Sequence, residues 1–194
     1  MDPKSSQKST SRGKSLANTI NVLIKKGLKS KGWVSEAKIF KDENYQKPWR
    51  LDFAKDPFFS VEVAFNHGQA TAWNLLKLTL ASEENIYVEK DFKSDIGIVI
   101  FAKEELRLKG GMDGVVITFE KVKKNYLKPL YAQLTTPILL IGLDAPKTFE
   151  IKPINKSKSN KNLLGMVYRN GERLKNPYDG EYFDYPIYVE KNNK

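Results

Sequence analysis

Residues 51–65 read LDFAKDPFFSVEVAF, and the order of polar and apolar side chains along them decides the fold. Leu51 and Phe53, then Phe59, Val61, Val63 and Phe65, alternate with Asp52, Ser60, Glu62 and Ala64. A period of two is the mark of strands with two unlike faces. Lys55-Asp56-Pro57 between the two runs is turn chemistry, so the stretch predicts a β-hairpin with its carboxylates on one side. Along the second strand Glu62, Ala64 and Asn66 share a face, opposite Val61, Val63 and Phe65.

Upstream, Leu16, Ile20, Leu23, Ile24 and Leu28 recur at three and four and predict an amphipathic helix ending near Gly32. Downstream, QATAWNLLKLTLA (69–81) reads as a helix packing Trp73, Leu76 and Leu80 inward. IGIVIF (96–101) and ILLIGL (138–143) are apolar nearly throughout and read as buried strands. Between them lie a short helical stretch, 103–109, and a longer one, 119–134, interrupted near Pro129. Strands alternating with helices give an α/β (α+β) class, a mixed central β-sheet flanked by helices. The last fifty or so residues change character. Asn170-Gly171 is a type I′ hairpin signal, and Tyr182 to Val189 is rich in aromatics. The expected organisation is a flexible basic tail over 1–13, a core over 14–146, and a small C-terminal β subdomain over 147–194.

The chain has 194 residues, enough for one ordinary hydrophobic core. It has no cysteine and one histidine, His67. Disulfides, thiolate zinc sites and cysteine nucleophiles are thereby excluded, and a multi-histidine metal site or a Ser-His-Asp triad has little to draw on. With no apolar run of about 18 residues and no signal-peptide core, the expectation is a soluble, cytoplasmic protein with no membrane partner and no small-molecule substrate. The formal charge is +10 and the pI about 9.5, a balance that suits a polyanion. A lysine-rich solvated surface would give the same sum. The distribution says more: residues 1–31 carry Lys4, Lys8, Arg12, Lys14, Lys25, Lys26, Lys29 and Lys31 against the single acid Asp2. A second basic run follows in 152–175. MDPKSSQKSTSRGK has the composition of a disordered tail that either orders on phosphates or stays idle.

Asp52 and Glu62, on neighbouring extended segments of so basic a chain, supply what a Mg²⁺-dependent phosphodiesterase needs. Hard oxygen ligands suit Mg²⁺, which bridges to a phosphate oxygen and lowers the pKa of an attacking water, while Lys and Arg hold the polyanion. Asp56 is a weaker candidate for the first carboxylate. Two acids at such spacing also occur by chance, so their context matters.

That context resembles a known family. Asn21 ahead of Lys-Gly-Trp33, then LDFAKD, SVEVAF, a helix, IGIVIF, a helical segment ending in Tyr131-Ala-Gln-Leu, and PILLIGL are similar in order and spacing to the type II restriction endonucleases related to BglII and BstYI, in the PD-(D/E)XK nuclease superfamily. The resemblance covers roughly residues 15 to 146. It implies a restriction-endonuclease-like fold, a Mg²⁺ cofactor, a homodimer, and cleavage of double-stranded DNA at a short palindrome with a GATC core. In that family the catalytic strand reads Glu-Val-Gln-Phe, and its Asp, Glu and Gln stand around the metal. Carried over by position, these fall on Asp52, Glu62 and Ala64.

The chain departs from the family twice. The Asp-to-Glu interval is one residue longer, and Ala64 puts a methyl group where the third polar side chain belongs. A methyl neither holds a water nor donates to a phosphate. Either cleavage has been lost at Ala64 with the scaffold intact, or the third group comes from elsewhere, or the protein binds without cutting. Asn66 shares the face but lies roughly 7 Å further along at ~3.3 Å per residue. Lys77 reaches in only if its helix turn faces the site. The alternatives to a restriction enzyme are a non-catalytic DNA-binding module on the same fold and a homing or structure-specific nuclease.

The remaining candidates are contacts to DNA, and each has a plainer reading. By the resemblance Asn21 sits on the first helix near the catalytic carboxylates; otherwise it is a solvent-facing amide. Asn66 and His67 follow the catalytic strand and are placed to touch phosphate or simply to turn the chain. Arg12 and Lys14 belong to the basic tail. Lys103 and Lys109 read first as a charged helical face, and Gly110-Gly111 as a turn or a close approach to DNA. In INKSKSNKNLLG, Lys156, Lys158 and Lys161 suit phosphates and Asn160 a base edge, although a surface loop has the same composition.

Overall fold

The computed structural model describes residues 15–84, 87–157 and 160–173. Its centre is a five-stranded mixed sheet in the order β1 (Val34–Lys38), β2 (Arg50–Lys55), β3 (Phe59–Val63), β4 (Ile96–Ala102) and β5 (Ile138–Leu143). The first three strands are antiparallel, and β3, β4 and β5 run parallel. The hairpin read from residues 51–65 is β2 and β3, paired Phe53 to Val61, Ala54 to Ser60 and Lys55 to Phe59. Strand β1 has too weak an alternation to be read from the sequence, yet it pairs with β2 from Val34–Ala54 to Lys38–Arg50.

Helices cover both faces. On one, α1 (Ala17–Lys29) lays Ala17, Ile20 and Ile24 over a cluster that includes Phe65, Ala102, Leu106 and Val116. On the other, α3 (Thr71–Ser82) packs Leu75 and Leu78 on Leu51, Ala64, Val99 and Phe101. Three short helices complete the frame: α2 (Glu43–Gln46), α4 (Glu104–Lys109) and α5 (Phe119–Asn125). Gly97 on β4 lets α3 come close, since a Cβ there would lie 2.8 Å from the Leu78 Cβ. We expect Gly97→Ala to cost about 1–3 kcal/mol by overpacking, measured by urea denaturation.

Three expectations need correction. The buried residues of α3 are Thr71, Asn74, Leu75, Lys77, Leu78, Thr79 and Ala81; of the three expected inward, Leu80 is half-buried against the core, while Trp73 and Leu76 are not among the buried set. Trp73 is 41% exposed and stacks on Trp49 with ring centroids 4.2 Å apart, which satisfies its apolar surface outside the core. The helix expected over 119–134 stops at Asn125. Lys128 precedes Pro129 and is biased away from α geometry, so turns take the chain on. β5 is an edge strand that is half-exposed along its length, with Leu139 54% exposed.

A second sheet holds β6 (Glu150–Ser157), β7 (Asn160–Arg169) and β8 (Glu172–Arg173), all antiparallel. Asn170 (φ 51°) and Gly171 (φ 84°) form the turn between β7 and β8. Two consecutive positive φ values are what a two-residue type I′ hairpin requires. Ile151 and Val167 join the cluster of Leu16, Phe65 and Leu106, so this sheet shares an apolar layer with the α1 side of the core. The basic tail and the aromatic run Tyr182 to Val189 lie outside the described residues.

Candidate active site

The β2–β3 ladder closes with Phe53–Val61, and the next residue of each strand is a carboxylate. Past that pair a side chain takes over the bonding: Asp52 Oδ2 accepts the Val63 backbone N–H at 2.7 Å. Asp52 opens onto a cleft of about 250 Å³ whose lining includes Asn21 and Lys25 of α1, Ser35 and Glu36 of β1, and Val63. Glu62 is not in the cleft wall. It is 2% exposed and turned toward α3, where Lys77 Nζ donates to its Oε2 at 2.6 Å and to the Arg50 carbonyl at 3.0 Å.

Electrostatics join these groups into one locus. Burial pushes the Glu62 pKa up to about 7, against the pull of the Lys77 ammonium and of the Asp52 backbone N–H, and the Asp52 charge raises it further. Burial also raises Asp52, opposed by the Val63 N–H and by Lys77, while Glu36 adds to the rise. Lys77 therefore acts on both carboxylates. Glu62 Oε1 is buried with no hydrogen-bond partner among the described residues. A buried carboxylate oxygen left unmatched is costly unless a cation or donor meets it.

This donor set fits Mg²⁺. It is all oxygen, and the unmatched oxygen of Glu62 belongs to a carboxylate that feels the charge of a second one, Asp52. Among the described residues no three His, Cys, Asp or Glu side chains cluster as a metal cage. Mg²⁺ does not ask for one, since it commonly keeps several waters and takes one or two carboxylates plus phosphate.

The other candidates separate. Asn21 lies in the cleft with Asp52. Ala64 is 0% exposed and packed with Leu75, Val99 and Phe101, so its methyl belongs to the core. Asn66 does not extend the catalytic face: β3 ends at Val63, and Asn66 and His67 are exposed in the segment leading to α3. Lys103 pairs with Asp144 at 2.7 Å and Lys109 with Glu105 at 2.6 Å, the charged surface that was the plainer reading. Gly110 caps α4, its N–H donating to the Leu106 carbonyl at 2.8 Å, which makes it a turn. Lys156 falls in β6, and Asn160 and Lys161 in β7. Arg12, Lys14 and Lys158 lie outside the described residues.

Sequence reading missed Lys25, Ser35 and Glu36 of the cleft. Glu36 has φ 55°, a left-handed conformation that costs a non-glycine residue roughly 1–2 kcal/mol and that no residue-type signal announces.

A mixed five-stranded sheet with helices on both faces and two acids where a hairpin splits is the architecture of a restriction-endonuclease fold. The chain superposes on the crystal structure of restriction endonuclease BglII complexed with a DNA 16-mer with a TM-score of 0.55, at 18% identity, over 79% of this chain and 71% of that one. At that identity the likeness speaks for the fold. The family model described as restriction endonuclease BglII/BglIII matches residues 1–143, and the chain belongs to that family of type II restriction endonucleases. No curated protein matches the chain.

Proposed function

We propose that this chain is a cytoplasmic, homodimeric, Mg²⁺-dependent endonuclease that cuts double-stranded DNA at a short palindrome with a GATC core. The observation that supports the chemistry is the unmatched, buried oxygen of Glu62, a carboxylate that feels the charge of Asp52, which itself lines an open cleft. Asp52 and Glu62 would hold the metal, which supplies an activated water and stabilises charge on the phosphate. Asp52 is fixed by the Val63 N–H and Glu62 by Lys77, so both carboxylates are set before substrate arrives. The BglII structure was solved on DNA, which supports a duplex as the substrate of its relative. Two-fold symmetry suits a palindrome, with one subunit for each strand.

Ala64 favours a second reading, a DNA-binding module that has lost cleavage. Incubating the protein with a random duplex library in Ca²⁺ and sequencing what is retained tests recognition apart from cutting. The proposal expects enrichment of one short palindrome; no enrichment would count against both readings of specificity. The basic surface carries a companion prediction. The logarithm of affinity should fall linearly with the logarithm of salt, by about 0.9 per phosphate contacted, and a flat response would remove DNA as the partner. Deleting residues 1–13 should reduce that slope if the tail meets phosphate, and an unchanged slope would mark the tail as idle.

A further inference from the structure

We propose that Lys77, carried on α3 and not on the catalytic strand, is the positioning residue that takes over from position 64. It fixes Glu62 by one oxygen and leaves the other free for the metal or its water. This rests on the proposed metal site at Asp52 and Glu62. Position 64 cannot serve, because its side chain is a methyl sealed in the core. Lys77 is 8% exposed and bridges the two strands that bear the acids, binding Glu62 Oε2 on β3 and the Arg50 carbonyl on β2, two residues before Asp52. These are the only hydrogen bonds of its ammonium among the described residues, so one of its three N–H groups is left over. With the cleft residues Glu36 and Lys25 counted beside Asp52, Glu62 and Lys77, three carboxylates meet two ammoniums, a net negative locus that suits a divalent cation. The placement follows from the packing of α3: Asn74, Lys77 and Ala81 form a buried stripe at spacings of three and four, and Leu78 is seated close over Gly97.

The chain contains no cysteine, so Lys77→Cys introduces a unique thiol. Alkylation with bromoethylamine in denaturant, followed by refolding, rebuilds an ammonium of nearly lysine length. Lys77→Met and unmodified Lys77→Cys should weaken Mn²⁺ binding to the DNA-free protein, followed by electron paramagnetic resonance, by about 10- to 100-fold, as loss of an outer-shell partner does. Duplex affinity in Ca²⁺ well above the metal Kd of the variant should stay near that of the parent, showing that the fold stands. Alkylated Lys77→Cys should recover Mn²⁺ affinity. In cleavage the loss should fall on kcat and not on KM, again about 10- to 100-fold. Unchanged Mn²⁺ affinity in folded Lys77→Met, or no recovery on alkylation, overturns the assignment. If the parent chain cuts no duplex, the cleavage reading fails, and the metal-binding comparison still decides the role of Lys77.

Discussion

Glu62→Gln and Asp52→Asn should each lower Mg²⁺-dependent cleavage by more than the roughly 100-fold expected for an outer-shell partner, because in the proposed site each side chain is itself a metal ligand. Both changes conserve shape and abolish a charge. Asp52→Asn can still accept the Val63 N–H through its amide oxygen, so the end of the hairpin should hold. Glu62→Gln leaves the buried Lys77 ammonium facing a neutral amide. Each variant should therefore be compared in stability as well as in single-turnover cleavage. Retained cleavage in either, with the fold intact, would remove that residue from the metal site. Ala64→Gln, by contrast, should not restore a lost function. It drives an amide into a layer packed by Leu75, Val99 and Phe101, and overpacking of that kind costs about 1–3 kcal/mol.

The second large effect is in stability against pH. Glu62 has a folded pKa of about 7 against an ordinary 4.5, so the folded protein holds that proton more tightly than the unfolded chain does. The contribution is fully present below pH 4.5 and is lost as pH rises through 7, a change of up to about 3 kcal/mol at about 1.4 kcal/mol per unit. Asp52 is raised as well and acts in the same direction. In EDTA the protein should therefore be less stable at pH 8 than at pH 5, and Glu62→Gln should flatten the difference. Mg²⁺ at the proposed site would bind the ionised form and should restore stability at pH 8 by mass action. Urea denaturation of both proteins at the two pH values checks this, and parallel pH profiles would mean that Glu62 is not the group responsible.

How much of this was legible in the sequence depended on whether a signal was local. The β2–β3 hairpin was, because alternation and Asp-Pro turn chemistry lie within fifteen or so residues. The Asn170-Gly171 turn was legible for the same reason, its two residues tolerating positive φ. The orientation of α3 was not. Trp73, Leu76 and Leu80 make as good an apolar stripe as Leu75, Leu78 and Ala81, and only the partners outside the helix, Trp49 for Trp73 and Gly97 for Leu78, choose between them. That choice turns Lys77 inward, so the group that holds Glu62 depended on packing that periodicity does not record. The cleft residues Ser35 and Glu36 belong to a strand with little alternation, defined by its pairing with β2. Alternation in a basic chain singles out Asp52 and Glu62 and the family resemblance gives them their roles, while the tie between Glu62 and α3 lies in the three-dimensional packing.

The most direct test is to incubate the native protein with plasmid DNA carrying many GATC-core palindromes, in Mg²⁺ and in EDTA, and to sequence every new end. The account predicts discrete fragments whose ends all fall at one palindrome, cut symmetrically on both strands, formed in Mg²⁺ and absent in EDTA and with Glu62→Gln. Intact plasmid in Mg²⁺, ends scattered without a common sequence, or equal cutting by Glu62→Gln would contradict it.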